Sequence, residues 1–97
     1  MTAQPDGFAT TEIVDRMTEE ARVFNWVSVS QLAAMYARSL RAAATDPQPE
    51  VIQVLDLLRK SRRYDALMEV ADAALAGRQD VAGVWRRYAQ ALVDRDR

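Results

Sequence analysis

Apolar side chains recur along this chain at the three- and four-residue spacing of amphipathic helices, in five stretches separated by short polar breaks. The first runs from Thr11: Ile13, Met17, Ala21 and Phe24 fall on one stripe, Thr10 or Thr11 is placed to cap it, and Glu12 and Asp15 suit the positive end of the helix dipole. The second carries Val29, Leu32, Ala33, Tyr36, Leu40 and Ala43, with Ser28 or Ser30 as cap, and ends before Asp46-Pro47-Gln48-Pro49. Each proline there disfavours helical geometry in the residue before it, and Pro49 suits a first helical position. The third stretch, Val51, Val54, Leu55 and Leu58, closes on Arg59-Lys60-Ser61-Arg62-Arg63. The fourth, Tyr64, Leu67, Met68, Ala71, Ala74 and Leu75, stops at Gly77, expected as a left-handed cap. Asp80 is placed to cap the fifth, whose stripe is Val81, Val84, Trp85, Tyr88 and Leu92.

The pattern predicts an all-α fold of five antiparallel helices. Residues 1–10, with a proline and a glycine but no periodicity, are expected to be a poorly ordered lead-in to one helical domain over 11–97. Within it, 11–46 form an N-terminal helical pair and 47–97 a second unit.

Composition narrows the chemistry. Among 97 residues there is no cysteine and no histidine, which removes disulfides, thiolate nucleophiles, imidazole bases and ordinary zinc sites. Thirteen basic and fourteen acidic side chains leave a net charge of −1, so no global field draws the chain to nucleic acid or an anionic membrane. Residues 1–7 lack the basic and apolar regions of a signal peptide and no stretch has the length of a spanning helix, so the cytoplasm is the expected compartment.

A shift of about 34 residues, the period of a two-helix repeat, brings Val51 onto Trp85, Val54 onto Tyr88, Leu55 onto Ala89 and Leu58 onto Leu92. Trp85, Tyr88, Ala89 and Leu92, in Trp-Arg-Arg-Tyr-Ala-Gln-Ala-Leu, follow the order aromatic, large, small, large. Arg63-Tyr64-Asp65-Ala66 supplies a turn and the start of a second helix, with Ala74 further along. Over residues 48–97 the chain resembles the tetratricopeptide repeat, about one and a half units of it. More loosely, it is similar to the N-terminal edge of such repeats in bacterial multidomain proteins. Leu55 and Leu67 stand where that family prefers small residues, and Gln79 where a proline often ends the unit, which makes the first unit a degenerate, capping one. The other reading of the same period is an ordinary antiparallel bundle.

Catalytic constellations are weak. Glu19-Glu20 point to different sides of a helix, Asp65 and Glu69 fit a solvated face, and no serine has a histidine to activate it. Lys60, the one lysine, shows no spacing that pairs it with a serine. The segment 29–36 is similar to the opening of a helix-turn-helix, but strong helix formers continue where its turn would fall. The cluster Arg59, Lys60, Arg62 and Arg63, with Arg86 and Arg87, reads first as dipole-complementing surface and second as an anion site. Trp26, placed in the loop before the second helix, and Trp85 read as packing residues rather than ligand platforms.

The resemblance implies a scaffold or adaptor that catalyses nothing, needs no cofactor or metal, and binds a protein or peptide partner on a face built from the first helix of each pair. On that face the polar positions off the buried stripe are Gln53, Asp56, Lys60, Arg86, Arg87 and Gln90. The alternative is a self-associating bundle, a homodimer formed through Val84, Tyr88 and Val93, and behind it nucleic-acid binding through the arginines.

Overall fold

The computed structural model describes residues 10–43 and 49–96, which form five α-helices and, among the described residues, no strand. They are α1 (Thr10–Arg22), α2 (Trp26–Ala43), α3 (Val51–Lys60), α4 (Tyr64–Ala76) and α5 (Val81–Arg95). The expected lead-in lies outside the described residues except for Thr10, which opens α1, and so does the break over residues 44–48.

α2 packs along α4 in the most extensive contact between helices, α1 lies against α2, and α3 and α5 lie side by side against α4. Both partners in the central α2–α4 contact bury small residues, Ala33 and Ala37 on α2 and Ala71, Ala73 and Ala74 on α4, and alanine lets helix axes approach closely. The stripes of α1 to α4 supply most of the core, including Ile13, Met17, Val29, Tyr36, Leu40, Val51, Leu55, Leu58 and Leu67. Leu55 and Leu67, large where the resembled family is small, are fully buried.

Three helix ends share one geometry. After α1, Phe24 N–H donates to Ala21 O at 3.1 Å and Asn25 N–H to Glu20 O at 3.0 Å, with Phe24 in the left-handed region at φ 59°. After α3, Arg62 (φ 59°) and Arg63 repeat the pattern onto Arg59 O and Leu58 O. After α4, Arg78 (φ 58°) and Gln79 repeat it onto Leu75 O and Ala74 O. These are Schellman motifs whose left-handed position holds a residue other than glycine. The expected left-handed Gly77 is instead at φ −90°, one residue earlier.

Other boundaries also move. Thr10 is helical, and the Thr11 hydroxyl donates to Glu50 Oε2 at 2.7 Å, fastening the start of α1 to the start of α3 instead of capping α1. α2 begins at Trp26, which is therefore not in a loop, and Asn25 rather than Ser28 or Ser30 faces its open end, with Ser28 N–H 3.5 Å from Asn25 Oδ1. Pro49 stands one residue outside the Glu50 cap of α3. Asp80 does cap α5: its carboxylate accepts from Gly83 N–H at 3.3 Å.

The fifth stripe is rotated from expectation. Val84 and Ala91 are buried and Tyr88 partly so, but Val81 is 43% and Trp85 53% exposed, because α5 turns its small residues toward α3 and α4. Phe24, expected on the α1 stripe, is 74% exposed, since the left-handed turn swings it off the helix. Among the described residues three polar side-chain atoms are buried without a hydrogen-bond partner, the Tyr36 hydroxyl, Glu50 Oε1 and Arg63 Nε; for Tyr36, burial first, then the Glu50 charge, pushes its pKa far above that of an ordinary tyrosine.

Candidate functional site

The six polar residues read from the sequence lie along α3 and α5. Asp56, Lys60, Arg86, Arg87 and Gln90, with Arg59, line a groove of about 320 Å³ between the two helices. Gln53, exposed and one turn back on α3, belongs to a neighbouring groove, so the structure gathers five of the six and sets one apart.

Their roles divide. Arg87 Nε donates to Asp56 Oδ1 at 3.2 Å and its Nη1 lies 3.4 Å from Gly83 O, so this guanidinium is a tie between α5 and α3. Arg59 reaches Asp94 at 3.5 Å, and Gln90 Nε2 donates to the other oxygen of Asp94 at 3.0 Å. Lys60 and Arg86 are exposed and make no ion pair among the described residues. The groove therefore offers two uncommitted cations above a floor of paired charges. The basic cluster is correspondingly dispersed. Arg59 is paired, Arg62 holds a left-handed turn, and Arg63 stacks on Trp26 with its guanidinium carbon 5.4 Å from the ring centroid.

On the other side of α3, between it and α1, lies a larger groove of about 860 Å³ whose exposed lining is mostly apolar. Ala21, Phe24 and Trp26 line it from α1, the turn that follows and the start of α2, and Ile52 and Leu57 line it from α3. Phe24 and Trp26 form an edge-to-face pair with centroids 5.7 Å apart. Gln53, Asp56 and Lys60 touch this groove as well, so the outward ridge of α3 separates an apolar channel from a charged one. The sequence reads Trp26 as a packing residue and gives no sign of the channel apart from Ile52 and Leu57, two apolar residues of α3 beyond those its buried stripe needs.

A third surface runs along α5. Val81, Trp85, Ala89 and Val93 are exposed at four-residue steps, with Trp85 tilted on Tyr88 at 5.6 Å. Of the three contacts expected for a homodimer, Val93 is on this arc, Tyr88 is half-buried beside it, and Val84 is fully buried and unavailable.

The imagined acid–base pairs stay apart. Glu19 bonds Arg22 and Glu20 bonds Asn25, while Asp65 and Glu69 face solvent. Among the described residues no group of three or more acidic side chains is placed to hold a metal ion, and no helix is long and apolar enough to cross a membrane. No family model, curated protein or solved structure matches the chain.

Proposed function

We propose that the chain is a non-catalytic protein–protein interaction module, a scaffold or adaptor of tetratricopeptide-like design, that receives a protein or peptide partner on the face made by α1, α3 and α5. The observation that carries this reading is the convergence of Asp56, Lys60, Arg86, Arg87 and Gln90 on one groove, with Lys60 and Arg86 left without carboxylate partners among the described residues. Two unpaired cations over a rigid helical floor suit a partner's carboxylates.

The test is capture of partners by the wild-type chain and by the Lys60→Glu/Arg86→Glu variant. Both positions are exposed, so helical circular dichroism should be unchanged while capture is lost. Undiminished capture by a folded variant refutes the face. Arg87 is unsuitable for this swap, because its loss breaks the α3–α5 tie.

A second reading is favoured by one observation, the exposed apolar arc Val81, Trp85, Ala89 and Val93. A second copy laid on it would bury these side chains. Sedimentation would then show a dimer that Trp85→Glu dissociates, and a concentration-independent monomer excludes it.

A further inference from the structure

The α1–α3 groove combines an apolar channel, an aromatic pair and a cationic rim. We infer that it is the docking channel for an acidic amphipathic helix, one that lays a stripe of bulky apolar side chains along Ile52, Leu57 and Phe24 and carries carboxylates beside that stripe. This rests on the docking reading above and gives it a partner chemistry.

The dimensions fit. Lining residues run from Ile52 on α3 to Ser61 just past its end, about 13 Å or two and a half helical turns, which spans anchors at positions i, i+3, i+4 and i+7 of a partner helix. The volume, about 860 Å³, lies within the range of pockets that enclose several side chains.

The aromatic side of the channel is preorganised. Phe24 is 74% exposed in a left-handed conformation that disfavours a residue with a Cβ, so the chain bears local strain while displaying a phenyl ring to solvent. Trp26 is fixed edge-to-face by Phe24 and stacked by Arg63, a preorganised indole that costs a ligand little further ordering.

The charges select the partner's sign. Lys60 on the rim has no ion pair among the described residues, and Arg22 is held only by Glu19, with both side chains about two-thirds exposed. The one carboxylate in the lining, Asp56, is already committed to Arg87. Net positive charge around an apolar channel favours glutamates or aspartates flanking an apolar stripe and opposes lysines there.

The experiment uses the Trp85→Phe chain, in which Trp26 is the only tryptophan, and follows its emission during titration. The probes are two helical peptides of about fourteen residues with the same leucine stripe, flanked by glutamates in one and lysines in the other. The glutamate peptide is expected to give a saturable change at least about tenfold tighter than the lysine peptide, weakening as salt is raised. Phe24→Ala should weaken it by about tenfold, and Lys60→Glu should remove the preference for glutamates. Absence of a saturable change, equal binding of both peptides, or indifference to Phe24→Ala and Lys60→Glu overturns the proposal. So does a Trp26 response to phosphatidylserine vesicles in place of the acidic peptide, which makes the channel a lipid contact, or to protein concentration alone, which makes its occupant a second copy. If partner capture is lost in Lys60→Glu/Arg86→Glu but intact in Phe24→Ala, the docking reading stands and this channel is not its site.

Discussion

Arg87 Nε donates to Asp56 Oδ1 at 3.2 Å, so the arginine beside the solvent-facing Arg86 is a structural strut between α5 and α3. The two neighbours have the same chemistry and different work, because the helix turns about 100° between them. The strut forms the floor over which Lys60 and Arg86 are displayed.

Removing it should be measurable. With side-chain exposures of 25% and 38%, the pair is screened by solvent, so Arg87→Ala should cost about 1 kcal/mol, part from the ion pair and part from lost packing of the arginine stem. Arg86→Ala should stay within about 0.5 kcal/mol of wild type. Urea unfolding of Asp56→Ala, Arg87→Ala and the double variant should give a coupling of about 0.5 to 1 kcal/mol. Strictly additive losses would mean that the pair contributes nothing beyond its separate side chains.

The left-handed turns make a prediction of the opposite sign. Arg62 and Arg78, at φ 59° and 58°, are exposed and form no ion pair among the described residues, so glycine loses nothing there and relieves the Cβ clash of the conformation. Arg62→Gly and Arg78→Gly should each raise stability by about 0.5 to 1 kcal/mol, which for a chain of this size is several degrees in melting temperature. Alanine, which keeps the Cβ, should give no such gain. Phe24→Gly should stabilise its turn while removing the ring from the α1–α3 channel, separating stability from binding at one position.

These turns also show where sequence reasoning stopped. The five helices and the buried faces of Ile13 and Met17, of Val29, Ala33, Tyr36 and Leu40, and of Val51, Val54, Leu55 and Leu58 were legible, because each stripe is narrow and its period unambiguous. Phe24 was misplaced because the apolar period continues past the last turn of α1, and no glycine marks the end. α5 was misread in rotation because it carries two adjacent apolar arcs. Trp85 is the largest apolar residue of the helix, but contact with α3 and α4 selects the arc with Val84 and Ala91. The polar positions Asp56, Lys60, Arg86, Arg87 and Gln90 that line the α3–α5 groove are legible as residues off the buried stripes, whereas the apolar channel arises from the juxtaposition of α1 and α3, helices separated by all of α2.

At the start of α5 cap and helix propensity oppose each other. A Cβ on Gly83 would stand 2.5 Å from Asp80 Oδ2, and its three closest approaches are all to atoms of that carboxylate group. Gly83→Ala should therefore displace the cap, costing about 1 kcal/mol, while gaining a similar amount in helix propensity, for little net change. In an Asp80→Gly background the clash is absent and only the gain remains, so the same substitution should stabilise by about 0.5 to 1 kcal/mol. Equal effects in both backgrounds would show that the cap does not control this position.

The sealed hydroxyl of Tyr36 gives a pH dependence with a definite sign. In the folded chain its pKa is raised, chiefly by burial and then by Glu50, whereas in the unfolded chain the phenol titrates near its ordinary value of about 10. The unfolded state therefore releases this proton first. The stabilising contribution is complete below about pH 10 and is lost progressively as pH rises above that value toward the folded-state pKa. Tyr36→Phe removes the titrating group and an unpartnered buried hydroxyl together. At neutral pH it should be between neutral and about 1 kcal/mol more stable than wild type, since the lost group had no hydrogen bond to give up. Above about pH 10 its denaturation midpoint should fall less steeply with pH than that of the wild type. Parallel slopes in the two proteins would mean that Tyr36 ionises as readily folded as unfolded. A loss of more than about 1 kcal/mol at neutral pH would mean that the hydroxyl has a partner in solution.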